Sequence, residues 1–174
     1  MSLFKKRLFI CGFEERAKYQ SQRISHLVSI ANPGAPVCKP SWFKGAYLQL
    51  WFGDVISEAD AKRCKTAAPQ IQDLQRAIGF FREAWTATGS TILVSCDQGA
   101  SRSPALAYVF IADQSGPGRE AEAFGLTLEI RPVAVPNSLV VHLGDKLLQR
   151  NGALLAPLKD FYAKINAELF PKGD

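Results

Sequence analysis

Four short apolar runs, rich in β-branched or aromatic residues and bounded by Gly, Pro, Asn or Ser, limit what this chain can fold into. They cover residues 7–12, 26–31, 46–52 and 91–96. Their length and composition predict strands. Between the third and fourth runs, apolar residues recur at steps of three and four from Ile71 to Trp85, and this stripe ends at Gly89, which predicts a helix. Units of strand, helix and strand produce a largely parallel sheet with helices on its faces.

Helical patterns dominate the rest of the chain. They cover residues 105–113, 119–128, 139–149 and 154–169. The expected fold class is therefore α/β, with a central, largely parallel sheet of four to five strands flanked by helices. With 174 residues, 47% hydrophobic and 21% charged, the chain has the size of one domain and is too apolar for disorder. We expect a single domain over residues 1–174.

Apolar segments and cysteines indicate the compartment. The longest uncharged apolar run, residues 105–112, is too short to span a bilayer, and the N-terminal basic run precedes no signal-like apolar region. No CxxC pair is present, so a zinc knuckle or thioredoxin motif is not expected. We expect a cytoplasmic protein with free thiols, no metal, no cofactor and no membrane partner.

The net charge of +5 suits anionic ligands in general. Basic residues are scattered and are not interleaved with aromatic residues, which argues against nucleic acid as the partner. Nothing in the sequence specifies an oligomeric state.

The segment TILVSCDQGASRSP, residues 91–104, carries the chemistry: an apolar strand, a loop of small or polar residues and the start of a helix. Loop N–H groups and a helix N-terminus can cradle a phosphate. Gly99 permits a positive φ, and Arg102 offers a planar fork for two phosphate oxygens. In this positive environment Cys96 is expected to be a thiolate nucleophile, with Ser103 donating a hydrogen bond to its sulfur.

The combination is more specific than its parts. Cys96 and Arg102 stand six positions apart, with Gly99 and Ser103 at fixed offsets, and chance gives this set in roughly 1 in 600 such chains. The alternative is an inert buried cysteine beside a solvated arginine.

Residues 96–103, CDQGASRS, resemble the Cys-x5-Arg-Ser/Thr loop of the cysteine-dependent protein tyrosine phosphatases, in the small dual-specificity-like branch that includes bacterial tyrosine phosphatase-like proteins. The likeness runs in order over residues 7–150. It implies a protein tyrosine phosphatase-like fold and a phosphocysteine intermediate. It also implies a phosphate site made of Asp97, Gln98, Gly99, Ala100, Ser101 and Arg102.

Two residues depart from what the chemistry favours. Ser95 stands where the family usually has a His that orients the loop and tunes the thiolate. Asp97 brings a negative charge next to the nucleophile. We expect the Asp97 side chain to face away from the ligand.

Phosphoester cleavage also needs a general acid. Asp54 follows the third strand, whose carboxyl end should open onto the same sheet edge as the loop, and the resemblance points to Asp54 as well. Glu58 and Asp60 remain alternatives. Asn137 is either a helix N-cap or, as the resemblance implies, a support for the phosphate loop.

The sequence thus predicts a metal-independent phosphomonoester hydrolase acting on phosphotyrosine, with phosphoserine and phosphothreonine as further candidates. Its partner would be a phosphorylated protein or a small phosphoester. The alternatives are a phosphate-binding pseudophosphatase, a phosphatase for a nucleic-acid 5′ end or phosphoinositide, and a rhodanese-like enzyme. Trp42 and Trp51 either pack in the hydrophobic core or line a substrate cleft. A reversible disulfide between Cys96 and Cys11, Cys38 or Cys64 also remains open.

Overall fold

One four-stranded sheet organises the fold in the computed structural model, which describes residues 2–169. The strands are β1 (Leu8–Gly12), β2 (His26–Ala31), β3 (Ala46–Trp51) and β4 (Ile92–Cys96). They lie in the order β1-β4-β2-β3, and every neighbouring pair is parallel. The α/β class and the four strands are confirmed, while a fifth strand is absent from the described residues. Met1 and residues 170–174, included in the single-domain prediction, lie outside them.

Seven α-helices and one 3-10 helix are described in residues 2–169. They are α1 (Leu3–Arg7), the 3-10 helix (Phe13–Gln22), α2 (Glu58–Arg63), α3 (Ile71–Thr86), α4 (Arg102–Ser115), α5 (Glu120–Ile130), α6 (Ser138–Leu147) and α7 (Leu155–Leu169). The five long helices were predicted. The helices α1 and α2 and the 3-10 helix were not predicted, because elements this short or this polar carry no apolar stripe. The fourth helix begins at Arg102, three residues earlier than predicted.

Both faces of the sheet are covered. The main core lies between the sheet and helices α3 to α7, and α4 is fully buried from Ser103 to Ala112. A smaller cluster around Leu27, Phe43 and Leu93 lies on the other face, where Trp42 packs against it. Strands of a parallel sheet covered on both sides are apolar almost throughout, as these are. No helix within residues 2–169 is long and apolar enough to cross a bilayer.

The carboxyl ends of β2, β3 and β4 meet at one sheet edge. Ile30 pairs in register with Cys96, and Ala31 pairs with Trp51. The segments that follow these strands, beginning at Asn32, Phe52 and Asp97, therefore emerge side by side, which is where parallel sheets commonly bind ligands.

Candidate active site

Cys96 ends β4 and is only 2% exposed. Its Sγ lies 3.2 Å from the Oγ of Ser103 in the first turn of α4, the contact that the sequence places there. At this distance the hydroxyl of Ser103 can donate a hydrogen bond to the sulfur.

The loop that follows Cys96 is held by its carbonyl groups. The carbonyls of Asp97, Gln98, Gly99, Ala100 and Ser101 accept hydrogen bonds from, in order, Phe13 N, Arg131 Nη2, Arg131 Nε, Val135 N and Asn137 N. The backbone N–H groups of residues 98–101 donate to no acceptor within residues 2–169. A loop whose carbonyls are bonded outward and whose N–H groups are unused is a site for an anion.

Gly99 is required in this loop for two reasons. Its φ is +69°, which favours glycine. A Cβ at this position would also lie 2.3 Å from the backbone C of Cys11 and the N of Gly12. The end of β1 therefore presses directly against the loop and fixes its path.

Arg102 is 3% exposed and holds the loop to two neighbouring strand ends. Its Nη1 donates to Phe52 O and to Asn32 Oδ1, both at 2.9 Å. Its Nε is buried and has no hydrogen-bond partner within residues 2–169. An unpaired buried donor on a cation is costly, and an anion in the adjacent cavity would satisfy it.

The expectation that Asp97 faces away from the ligand is wrong. Its Oδ2 accepts from Arg102 Nη2 at 2.9 Å, and Asp97 lines the same cavity as Cys96. The physical reason is that a buried guanidinium needs a counter-charge, and a carboxylate five residues away on a tight loop can supply one while staying 45% exposed.

Asp54 is the candidate acid that the fold brings to the loop. Its Oδ1 accepts from Ser101 Oγ at 2.6 Å and from Asn137 Nδ2 at 2.8 Å, and its Oδ2 lies 3.8 Å from Arg102 Nε. Glu58 and Asp60 lie in α2 and do not line the cavity.

The two alternative acids are engaged elsewhere. Glu58 accepts from Gln70 Nε2. Asp60 pairs with Arg63, and a hydrogen bond from that guanidinium holds the pKa of Asp60 below its ordinary value. A carboxyl group held in its charged form is a poor proton donor.

Asn137 has both of the roles considered from sequence. Its Oδ1 caps α6 by accepting from Val140 N at 3.0 Å, and its Nδ2 donates to Asp54 and to Val55 O. Its backbone N supports the loop at Ser101. One residue thus joins the helix start and the acid through its side chain and the loop through its backbone.

These groups surround a cavity of about 520 Å³ at the carboxyl edge of the sheet. Cys64, Lys65 and Thr66 form part of its wall, whereas neither Trp42 nor Trp51 lines it. No group of three or more His, Cys, Asp or Glu side chains within residues 2–169 is arranged to hold a metal ion.

The other cysteines differ in their relation to Cys96. All four thiols are free, and Cys64 shares the cavity of Cys96. Cys11 lies behind the loop, and burial raises its pKa to about 12. Cys38 lies away from this cavity, so of the three possible disulfide partners Cys64 has the shared location.

An ion pair behind the loop was not foreseen from sequence. Glu15 accepts from Gly12 N at 2.7 Å and pairs with Arg131, whose guanidinium holds two loop carbonyls. The hydrogen bond from Arg131 holds the pKa of Glu15 below its usual range. Residues 116 positions apart meet here, and no local pattern in the sequence could indicate it.

No protein-family model matches the sequence, and no curated protein is similar enough to count as a match. Solved structures do match. The human tyrosine phosphatase-like serine/threonine/tyrosine-interacting protein superimposes with a TM-score of 0.63 at 22% identity, over 80% of this chain and 89% of that one. Human DUSP28 gives a TM-score of 0.63 at 20% identity, over 84% and 94%. PTPMT1, solved in complex with PI(5)P, gives 0.58 at 14% identity, over 87% and 96%.

The architecture is therefore that of the cysteine-dependent phosphatases. Within that class, the fold is the one shared by small dual-specificity phosphatases such as DUSP28. The fold implied by the resemblance of residues 96–103 is confirmed.

Proposed function

We propose that this protein is a metal-independent phosphomonoester hydrolase that works through a phosphocysteine. One observation carries the proposal: the N–H groups of residues 98–101 and the Nε of Arg102 have no hydrogen-bond partner within residues 2–169, and Gln98, Ala100, Ser101 and Arg102 line the cavity that contains Cys96. Donors placed in this way fit the three non-bridging oxygens of a phosphate monoester.

The assigned roles account for both chemical steps. The Cys96 thiolate attacks phosphorus, an S–P bond forms, the P–O bond to the leaving group breaks, and Asp54 gives its proton to the leaving oxygen. Asp54 then takes a proton from the water that attacks phosphorus, and the S–P bond breaks to release phosphate and thiolate. Ser103 donates a hydrogen bond to the departing sulfur, which supports its negative charge.

Phosphotyrosine in a protein is the substrate class we favour, with phosphoserine and phosphothreonine next. A phosphoinositide headgroup carries several charges, and this loop offers Asp97 and Gln98 where further cations would help. A small phosphoester or a nucleic-acid 5′ phosphate is a weaker candidate. The cytoplasmic location expected from the sequence belongs to this proposal.

A second function, phosphate binding without turnover, is favoured by the contact between Asp97 and Arg102. That carboxylate already accepts a hydrogen bond from Nη2 of Arg102, the guanidinium that would bind the phosphoryl group in the transition state. The same fold occurs in the human tyrosine phosphatase-like serine/threonine/tyrosine-interacting protein, whose name denotes an interaction.

Aryl phosphate hydrolysis between about pH 5 and 8, with a chelator present, tests the proposal on the wild type and Cys96→Ser. We expect turnover in the wild type and none in Cys96→Ser. Turnover by Cys96→Ser, or inhibition by the chelator, would overturn the mechanism. Vanadate binding without any turnover would favour the second function.

A further inference from the structure

A buried arginine lies behind the nucleophile strand, on the face of the sheet away from the cavity. Arg16, in the 3-10 helix, is 6% exposed. Its Nε donates to Ser95 Oγ at 3.0 Å, its Nη2 donates to Ser29 Oγ at 2.9 Å, and its Nη1 donates to Cys38 O. The guanidinium also stacks 3.8 Å from the ring centroid of Phe13.

Arg16 has neutral partners only. Within residues 2–169 no carboxylate forms an ion pair with it, and the nearby Glu15 is engaged by Arg131. Burial of a cation without a counter-charge is unfavourable, and burial indeed lowers the pKa of Arg16. The groups that offset this effect are, in decreasing order, Cys11, Cys38, Tyr47 and Cys96.

Of these thiols, Cys96 is the one joined to Arg16 through its neighbour in the chain, Ser95. Burial raises the pKa of Cys11 to about 12, so Cys11 stays neutral. Cys38 contacts Arg16 through its backbone carbonyl, and its own Sγ donates to Pro36 O. Cys96 directly follows Ser95, the residue that anchors the guanidinium. Because coupling between two charges is reciprocal, a thiolate that stabilises Arg16 is itself stabilised by Arg16.

We propose that Arg16 is a positioning residue for Cys96: held by Ser95, its guanidinium places a fixed positive charge behind the nucleophile and favours the thiolate. The inference rests on the proposed function, which makes Cys96 the nucleophile. It also gives a role to Ser95, which stands where the phosphatases that this chain resembles usually have a histidine and which accepts a hydrogen bond from Arg16.

Other charged groups also face Cys96 from the elements packed around it. They are Arg102 of α4, Asp97 of the loop, Asp54 after β3, and the pair of Arg131 and Glu15 behind the loop. Both of these cations already have a carboxylate beside them: Asp97 pairs with Arg102, and Glu15 pairs with Arg131. Arg16 is the buried cation whose charge is not offset in this way, so its removal should be felt at the thiol.

The test is the pH dependence of Cys96 alkylation by iodoacetamide, followed by mass spectrometry of the peptide that contains Cys96. Arg16→Gln keeps hydrogen-bonding capacity and loses the charge, whereas Arg16→Lys keeps the charge. We expect Arg16→Gln to raise the pH midpoint of alkylation by about one unit, or about tenfold in rate at acid pH, and Arg16→Lys to shift it by less than half as much.

Arg7→Gln is the matched control. Arg7 precedes β1, donates to the carbonyls of Ser90 and Ala87 and stacks on Trp85. Its loss therefore disturbs packing near the start of β4, at the end of that strand opposite to Cys96. An unchanged midpoint in Arg16→Gln, or an equal shift in Arg7→Gln, would overturn the proposal. Should neither Arg16 variant fold, Ser95→Ala decides: it should raise the midpoint, and an unchanged midpoint overturns the proposal.

Alkylation needs no phosphatase activity, so this outcome is separable from that of the proposed function. A shifted midpoint in a protein that hydrolyses no phosphoester would support the role of Arg16 and reject the hydrolase. An active enzyme with an unshifted midpoint would do the reverse.

Discussion

The Nη2 of Arg102 donates to the Oδ2 of Asp97 at 2.9 Å, so the arginine that faces the cavity is partly engaged by the residue next to Cys96. The carboxylate is 45% exposed and can turn toward solvent, whereas the guanidinium is fixed by Phe52 and Asn32. An incoming phosphate must therefore compete with Asp97 for the same donor.

Asp97→Asn should tighten the binding of vanadate. A partly exposed ion pair is worth about 0.2–1 kcal/mol, which corresponds to a gain in affinity of roughly 1.4- to fivefold. Calorimetric titration with vanadate measures it. Asp160→Asn removes the same charge from an exposed position on α7 and is the control. Equal affinities in the two variants would show that Asp97 does not compete.

Asp54→Asn should lower kcat by about 10²–10³ for phosphoesters with poor leaving groups and much less for good ones, because only the former need a proton. The asparagine can still accept from Ser101 and Asn137, so the fold should survive. Glu58→Gln, in the exposed first turn of α2, should leave kcat unchanged. Steady-state rates of both variants are measured on two aryl phosphates, one with a good leaving group and one with a poor leaving group. An unaffected Asp54→Asn would favour the rhodanese-like reading.

Much of the fold could be predicted because its signals are local. The strands are short continuous apolar runs, the long helices were predicted from helical patterns in the sequence, and the loop of residues 96–103 concentrates its chemistry in eight positions. Asp54 could be placed because parallel strands end at a common edge. These predictions need no knowledge of distant contacts.

The remaining features of the site depend on tertiary contacts. Arg16 lies in a polar segment whose side chains would be expected in solvent, yet its guanidinium is buried and donates to Ser95. Arg131 forms an ion pair with Glu15, which lies 116 positions earlier in the sequence. The direction of the Asp97 side chain was mistaken for the same reason, because it depends on where the buried guanidinium lies.

Gly99→Ala should destabilise the protein by about 2–4 kcal/mol, since both the left-handed φ and the contact with Cys11 oppose a Cβ. Urea unfolding measures the loss. Gly89→Ala separates the two causes, because Gly89 has a φ of +79° but nothing within 4 Å of the added Cβ. We expect about 1 kcal/mol there. Equal losses at both positions would contradict the close approach of β1 to the loop.

Glu15→Gln should be less stable than the wild type near neutral pH, by at most about 1 kcal/mol, because the pair with Arg131 is partly exposed. The pKa of Glu15 is lowered in the folded state, so its contribution is present above the ordinary value of 4.5 and is lost as pH falls through the lowered value. The urea midpoints of the wild type and of Glu15→Gln should thus differ at neutral pH and approach each other as the pH falls below 4.5. Glu122→Gln, which breaks an exposed pair with Arg119, should show little difference at either pH. A gap that persists in acid would contradict this sign.

Rapid acid quench of the enzyme with an aryl phosphate, followed by mass spectrometry of its peptides, tests the central claim most directly. The account predicts a phosphate group on the peptide that contains Cys96, formed within the first turnover and absent in Cys96→Ser. Hydrolysis that proceeds with no phosphorylated cysteine, or with the phosphate on another residue, would contradict it.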